Sequence, residues 1–168
     1  MTNTRNLIKL YVRAVLLGCA LLIPTVNQSG LAQARATVPM PNAYELTILV
    51  NSTLSALNHA NRTGNYSVLH DLGAPSFKRL NSKIKLGQIF NSHRKRHLDI
   101  SAALLYAPVF PSSPRIDAQG FLHLVGHMPT EPFHLNFSLI FEKSGGLWRI
   151  MAISIAPAVR QQQKMARR

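Results

Sequence analysis

The sequence predicts an α+β fold in which N-terminal helices pack on a curved antiparallel sheet of about four strands. Two patterns indicate it. Apolar side chains recur at helical spacing from residue 42 to about residue 90. From 121 to 156 they alternate with polar ones instead, most regularly between Phe133 and Glu142. A period of two is typical of a strand with one buried face, so we expect the sheet in the second half of the chain.

The first 34 residues have the pattern of a secretory signal peptide. Three basic residues precede an uncharged apolar run, and positions 32–34 carry the small-x-small pattern that a signal peptidase recognises. The run is too short for a good transmembrane helix. We therefore expect an exported protein, periplasmic or secreted, that is cleaved after Ala34 and has no transmembrane span in the mature chain. The alternatives are a lipoprotein modified at Cys19, the only cysteine, and an uncleaved anchor.

The mature chain is predicted to be one basic domain. Three of the nineteen Lys and Arg residues precede the cleavage site, which leaves sixteen against six acidic residues and a formal charge of +10. This charge favours anionic partners such as envelope polymers or lipid headgroups, and the alternative is a solubilising surface with a basic tail. We expect residues 35–41 to be a lead-in, residues 42–157 the domain and residues 158–168 a basic disordered tail.

Three helices are predicted in the first half of the domain. The first runs from Asn42 to about residue 62, with Asn42 and Glu45 forming a capping box and Gly64 ending the helix. A short helix covers residues 66–72. A third begins at Pro75 and reaches about residue 90, with a break around Gly87.

Four strands are predicted after the helices, at residues 98–106, 121–128, 133–143 and 147–156. Residues 115–116 are expected to pair briefly with the second of them. The connection 129–132 places Met128 opposite Phe133, and a two-residue turn at Ser144-Gly145 places Phe141 opposite Trp148. Both hairpins then share one apolar face, and Ile153 and Ile155 lie on the outer face.

Three segments resemble the nuclear transport factor 2-like superfamily, specifically its small exported bacterial members. These segments are residues 61–66, residues 72–77 and the Gly-Gly-Leu-Trp-Arg-Ile entry to the last strand at 145–150. The resemblance covers residues 42–157. It implies a cone-shaped fold whose helices cover a bent sheet and enclose an apolar cavity, often with dimerisation through the outer sheet face. It implies no single activity, since the superfamily includes isomerases, dehydratases, limonene epoxide hydrolases and non-catalytic binders.

The candidate binding residues form three groups. Apolar and aromatic side chains are expected to line the cavity: Leu124, Phe137, Leu139, Trp148, Ile150, Tyr66 and Tyr106. Side chains on the outer sheet face are expected to form a homodimer interface: Val125, His127, His134, Met151 and Ile153. A basic triplet in the loop before the first predicted strand is the candidate polyanion site: Arg94, Lys95 and Arg96.

We predict no catalytic residue, no cofactor and no metal. The carboxylates are assigned to turns, to helix surfaces or to the outer side of strands, including Asp99. His70 and Asp71 could do acid–base work, but adjacent helical residues point about 100° apart and are not expected to orient one another. His123, His127 and His134 would share a flat exposed face, which lacks the closed geometry of a structural zinc site.

The predicted function is therefore a non-catalytic exported binding domain for a small apolar ligand or a protein partner. The alternative is a basic envelope protein that binds a polyanion through the triplet Arg94–Arg96. A cavity-based isomerase or hydrolase is the third hypothesis. Nucleic acid is not an expected partner, because the basic run at 93–97 has no interleaved aromatic residues.

Overall fold

The computed structural model of the protein describes residues 38–131 and 133–159. The predicted signal peptide, Cys19 and most of the predicted tail lie outside these residues. Within them the helices precede a four-stranded antiparallel sheet, which confirms the α+β prediction. The last strand reaches Val159, so the first two residues of the predicted tail belong to it. No helix in the described ranges has the length and apolarity to cross a bilayer.

Five helices form the first half of the domain: α1 (Ala43–Thr63), α2 (Ser67–Asp71), α3 (Pro75–Leu80), α4 (Lys83–Ile89) and α5 (Asn91–Lys95). The capping box of α1 is present. The Glu45 backbone N–H donates to Asn42 Oδ1 at 2.9 Å, and the Asn42 N–H donates to Glu45 Oε2 at 2.8 Å. These bonds satisfy N–H groups that the first turn of a helix leaves without partners.

The predicted third helix is divided into α3 and α4, but the break is at Asn81 and Ser82 and the prediction of a break at Gly87 is wrong. Asn81 Nδ2 donates back to the Phe77 carbonyl at 3.0 Å, and Ser82 Oγ accepts from the Lys85 N–H at 3.2 Å. Two adjacent residues with side chains that bond to backbone groups end one helix and begin the next.

The predicted strand at 98–106 is wrong, because a 3₁₀ helix occupies Ser101–Leu105. Asn58, which is buried in α1, holds the start of this segment. Its Oδ1 accepts from the Ile100 N–H at 3.1 Å, and its Nδ2 donates to Ser101 Oγ at 2.8 Å. Because the Ile100 N–H already donates to Asn58 of α1, it is not available for the hydrogen bonds between strands.

The sheet consists of β1 (Arg115–Ile116), β2 (Leu122–Met128), β3 (Phe133–Ser144) and β4 (Leu147–Val159), in that order. All neighbouring pairs are antiparallel. The two-residue strand β1 confirms the predicted brief pairing with the start of β2. The sheet is therefore a meander in which each strand follows its neighbour in the chain.

The predicted register is wrong by two residues in both hairpins. Met128 lies opposite Leu135, and Phe141 lies opposite Ile150. The second turn is Gly145-Gly146, with φ angles of 60° and 80°, a left-handed pair that glycine adopts without a Cβ penalty. A shift of two residues keeps every side chain on its predicted face, so the apolar face of β2 and β3 is unchanged.

A β-bulge at Met151 changes the second half of β4. Ile140 pairs with Ala152 while Phe141 pairs with Ile150, so Met151 is the extra residue. The inserted residue reverses the alternation beyond it. Ile155 is consequently only 6% exposed and lies opposite Phe137, and Ile153 packs against the core. The prediction that Ile153 and Ile155 lie on the outer face is wrong for this reason.

One hydrophobic core joins the apolar face of α1 to the inner face of the sheet. The segment that follows the 3₁₀ helix meets β2 at one isolated bridge. There Val109 and His127 exchange backbone hydrogen bonds of 2.9 and 3.0 Å. A Cβ at Gly126 would lie 2.3 Å from the Val109 carbonyl oxygen, so the close approach requires glycine at this position.

Candidate functional site

The structure does not bring the seven predicted cavity residues into one cavity. Four of them lie in the packed core with exposed fractions of 0–3%: Leu124, Phe137, Leu139 and Ile150. Trp148 is half-buried at the end of the second hairpin, and Tyr106 is 42% exposed after the 3₁₀ helix. Tyr66 forms a wall of a cleft between the helices. Phe137 also lines a cleft of about 380 Å³ on β2 and β3, and the larger clefts lie elsewhere in the domain.

A cleft of about 780 Å³ is here called the Tyr66 cleft. It lies between the end of α1, the start of α2, and the helices α4 and α5. Its lining residues are Thr63, Gly64, Asn65, Tyr66, Ser67, Lys83, Ile84, Gly87, Gln88, Asn91 and Arg94. The walls therefore combine basic, amide and hydroxyl groups with the apolar surface of Ile84 and of the Tyr66 ring.

Tyr66 is held rigidly in the wall of the cleft. Its ring stacks on Phe90, with 6.3 Å between centroids and 9° between planes. Its hydroxyl donates to Asn61 Oδ1 at 2.7 Å. Burial raises the pKa of Tyr66, and the nearby positive charge of Arg94 opposes this shift. The phenol therefore stays neutral and remains a hydrogen-bond donor within the protein.

Arg94, on α5, is the residue that gives the Tyr66 cleft its chemistry. Its Cζ lies 6.0 Å from the centroid of the Tyr66 ring, within cation–π range. Its Nη1 lies beside Gly64, 3.5 Å from the position that a Cβ would take there. Its Nε is buried and has no hydrogen-bond partner among the described residues. Such buried donors are uncommon in folded proteins.

The charge of the Tyr66 cleft is positive on its described walls. Lys83 on α4 and Arg94 on α5 both line it, and no Asp or Glu is among its lining residues. Asn, Gln, Ser and Thr side chains provide the remaining polar surface. Two cations with amide and hydroxyl donors form a wall that suits an anion such as phosphate or carboxylate.

A second cleft of about 310 Å³ lies on the other side of Arg94 and is here called the Arg62 cleft. Its lining residues are Asn61, Arg62, His93, Arg94, His97, Leu98 and Asp99. His93 Nδ1 is buried and has no partner within residues 38–131 and 133–159. Two residues of α5 that are adjacent in sequence therefore both carry an unpaired buried nitrogen beside these clefts.

Asp99 is the one carboxylate on the wall of the Arg62 cleft. Its Oδ1 accepts from the Ser101 hydroxyl at 2.6 Å, from the Ser101 N–H at 2.9 Å and from Asn58 Nδ2 at 3.2 Å. These bonds, in that order, lower the pKa of Asp99, and the charge of Arg62 contributes further. Asp99 is thus ionised and bonded mainly to its own chain.

The basic triplet Arg94–Arg96 is divided by the structure, which places it at the end of a helix where a loop was expected. Arg94 is half-buried between the two clefts, whereas Lys95 and Arg96 are exposed. His97 follows with a φ of 49°, and its N–H donates to the Arg94 carbonyl at 2.9 Å. A left-handed residue that ends a helix in this way directs the chain away from α5. His97 then lines the Arg62 cleft.

Arg62 and Lys83 were not among the sequence candidates for a site, and His93 lay in the basic run at 93–97 but outside the predicted triplet. Arg62 lies in the last turn of α1, Lys83 in the first turn of α4 and His93 in α5. They are 10 to 31 residues apart in sequence, and no local pattern connects them. Only a prediction of α5 as a helix packed against Tyr66 could have indicated the grouping.

Of the residues predicted to form the dimer interface, Val125, His127 and His134 lie on the outer face of the sheet. Ile153 does not, because it packs against the core. Met151 is covered by α3, where its Sδ lies 3.0 Å from Ser76 Oγ. Small and polar residues occupy the outer positions of β4 beyond the bulge, so this face is less apolar than predicted. The homodimer stays a prediction with fewer supporting residues.

The outward histidines form two separate arrangements. His127 and His134 stack with 4.6 Å between centroids and 2° between planes, and His134 Nε2 is buried and unpaired. Burial, and secondarily the charge of His134, lowers the pKa of His127. His123 Nε2 instead bonds Asp117 Oδ2 at 2.7 Å. Within residues 38–131 and 133–159, no three His, Cys, Asp or Glu side chains have the arrangement of metal ligands.

His70 and Asp71 are hydrogen-bonded, with 3.0 Å between Nδ1 and Oδ1. The expectation that adjacent residues could not orient one another is therefore wrong, because side-chain rotation brings the two groups together. This bond is the main cause of the lowered pKa of Asp71. Neither residue lines the Tyr66 or the Arg62 cleft.

An apolar groove of about 560 Å³ lies where the start of α1 meets the second hairpin, and is here called the Trp148 groove. Ile48, Leu72 and Leu147 are 38–60% exposed along it. Trp148 forms part of its wall, with Lys143 Nζ 5.5 Å from the Trp148 ring centroid. Of the predicted cavity residues, only Trp148 lines this groove.

Comparison with protein-family models, with curated proteins and with solved structures finds no match for this chain. The geometry of the clefts and of the groove is therefore the basis for assigning a function.

Proposed function

We propose that this chain is a non-catalytic binding domain that holds an anionic ligand in the Tyr66 cleft. The observation that carries the proposal is the position of Arg94. It lines the Tyr66 cleft, whose described walls contain no Asp or Glu, and its Nε has no acceptor among the described residues. Lys83 on the opposite helix adds a second positive charge. This proposal sharpens the alternative hypothesis of polyanion binding and limits the basic triplet to one participating residue, Arg94.

The arrangement supports binding because its donors are pre-organised. The Tyr66 ring, itself fixed by Phe90 and Asn61, holds the guanidinium in place. An anion would gain charge-assisted hydrogen bonds without ordering the arginine side chain on binding. Tyr66 stays protonated, and its hydroxyl donates a hydrogen bond to Asn61. The hydroxyl therefore supports the wall of the cleft and does not serve as a base.

Titration calorimetry of the full chain with sodium phosphate tests this proposal. Lys83→Gln and Arg94→Lys should each weaken binding by about 10- to 150-fold, since a lost charge-assisted bond removes about 1.5–3 kcal/mol. The second variant keeps the charge and removes only the planar fork. Lys85→Gln is the matched control, because Lys85 lies on the same helix as Lys83 but outside the cleft. Absence of binding, or an equal loss in the control, would contradict the proposal.

A second candidate function is the binding of a small apolar ligand in the Trp148 groove. The exposed aliphatic side chains beside Trp148 support it. Trp148 is the only tryptophan, so its fluorescence reports on this groove alone. Titration with an uncharged probe such as N-phenyl-1-naphthylamine should quench or shift the emission, and Leu147→Ser should reduce the response. An unchanged emission spectrum at saturating probe would exclude this candidate.

Membership of the nuclear transport factor 2-like superfamily and export from the cell are also proposed. Helices followed by a four-stranded antiparallel sheet support the first in general kind. The basic, apolar and small-residue pattern of positions 1–34 supports the second. Mass spectrometry of the protein isolated from its native host should find a mature chain that begins at Arg35. An intact N-terminus would contradict cleavage, and a lipid adduct on Cys19 would favour the lipoprotein alternative.

A further inference from the structure

We propose that the ligand carries two anionic groups, one in the Tyr66 cleft and the other in the Arg62 cleft, with Arg94 between them. This inference rests on the proposed function and names its ligand class, a molecule with at least two linked phosphate groups. The two clefts share Arg94 as a lining residue, which makes them neighbouring halves of one site.

The guanidinium of Arg94 can serve both halves. Arginine has five N–H donors arranged on two edges of a rigid plane, so two anionic groups can accept from it at once. Its Nη1 faces Gly64 in the Tyr66 cleft, and its Nε is buried without an acceptor. One anion in the Tyr66 cleft leaves part of this fork unused, and a second group would complete it.

The Arg62 cleft provides the additional partners for the second group. Arg62 is exposed and positively charged, and His93 offers a buried Nδ1 that has no partner. His93 and Arg94 both line the Arg62 cleft, so both side chains border the space that the second group would occupy. Asp99 is the opposing charge on this wall, but its Oδ1 is already bonded to Ser101 and Asn58.

The length of the phosphate chain is the variable that tests the inference. Calorimetry of the full chain compares orthophosphate, pyrophosphate and tripolyphosphate. Affinity should rise at least tenfold from orthophosphate to pyrophosphate. Arg62→Gln should bring the ratio of pyrophosphate to orthophosphate affinity close to one, whereas Lys83→Gln should weaken all three probes. Arg62 is exposed at the end of α1, so its replacement is expected to leave the fold intact.

Arg96→Gln is the control for net charge, because it removes the same charge from an exposed residue outside both clefts. If Arg96→Gln lowers the affinity for pyrophosphate as much as Arg62→Gln does, the gain comes from general electrostatics and the inference is wrong. If orthophosphate and pyrophosphate bind equally well and the vesicles described below show no preference for cardiolipin, this inference fails while the proposed function stands. If neither probe binds, the proposed function itself fails.

A vesicle arm distinguishes a soluble ligand from a lipid headgroup. Vesicles of phosphatidylcholine with cardiolipin, which has two phosphates, are compared with phosphatidylglycerol vesicles of equal charge density. Preferential sedimentation with cardiolipin that Arg62→Gln abolishes would assign the two groups to a lipid. Pyrophosphate binding without such a preference would assign them to a soluble molecule. Both results support a ligand with two linked phosphates. The inference is overturned if both kinds of vesicle sediment the protein equally and both soluble probes bind with equal affinity.

Discussion

Replacing Asn58 by alanine should lower the free energy of unfolding by about 2–4 kcal/mol. Asn58 is 2% exposed and lies on the inner side of α1. Its side chain makes three hydrogen bonds to residues 41 to 43 positions later in the chain. These bonds connect α1 to the 3₁₀ segment that the sequence predicts to be a strand, so the variant tests what determines the conformation of that segment.

The magnitude follows from the groups that the substitution leaves unpaired. The Ile100 N–H is buried and loses its acceptor, a loss of about 1–3 kcal/mol. Ser101 and Asp99 also lose a donor, but Asp99 is exposed and keeps two bonds from Ser101, so water replaces the amide there for about 1 kcal/mol. Relief from burying the amide offsets part of the total.

Urea unfolding of the full chain, followed by far-ultraviolet circular dichroism, measures the effect. Asn51→Ala is the matched control, since Asn51 lies two turns earlier on α1 and its Oδ1 is buried without a partner. Removing an amide with an unpaired oxygen should change the free energy of unfolding by no more than about 0.5 kcal/mol. The difference between the two variants isolates the hydrogen bonds from the loss of helix surface.

A decrease for Asn58→Ala that equals the decrease for Asn51→Ala would refute this reasoning. It would mean that the Ile100 N–H finds another acceptor and that the 3₁₀ segment does not depend on α1. Acidification provides an independent check. The pKa of Asp99 is lower in the folded chain than its ordinary value near 4, so the ionised carboxylate stabilises the fold above about pH 4. This contribution is lost as the pH falls through the lower folded pKa. Asn58→Ala should weaken that dependence.

Three further predictions test the sheet. Ile155→Ala should lower the free energy of unfolding by about 2–4 kcal/mol, because the bulge directs Ile155 into the core, whereas Val125→Ala on the exposed face should lower it by less than about 1 kcal/mol. Equal denaturation midpoints for the two variants would contradict the bulge. Gly145→Ala should cost about 1–2 kcal/mol from its φ of 60° alone, since nothing lies within 4 Å of the added Cβ, and a neutral result would exclude the left-handed turn. Because the pKa of His127 is lowered in the folded chain, the unfolded chain binds more protons than the folded one near pH 6, and the melting temperature should fall from pH 7 to pH 5. His127→Gln should flatten this fall, and parallel pH profiles of the variant and the original chain would refute the prediction.

Local chemistry explains the parts of the fold that were predicted correctly. The capping box at Asn42 and Glu45 involves residues three apart, and the alternation in β3 is read within ten residues. The strand register was wrong by two residues because loop length alone does not specify how many residues form the turn. The face assignment of β2 and β3 survived this error, because a period of two is insensitive to a shift of two.

The candidate site was predictable only in one residue. The run at 93–97 pointed to Arg94, but it did not separate Arg94 from its exposed neighbours Lys95 and Arg96. That separation depends on α5 packing beside Tyr66. Lys83 and Arg62 join the site from other helices, and their grouping results from tertiary packing.

By itself, the sequence determined the fold class, the first helix with its cap, and the two hairpins with their apolar face. Each of these depends on interactions between residues near one another in the chain. Tertiary structure alone decided three features: the 3₁₀ segment held by Asn58, the bulge that buries Ile155, and the two clefts on either side of Arg94. The physical reason is the same in each case: contacts between residues that are distant in sequence decide the conformation or the grouping, and these contacts override the local preference of the chain.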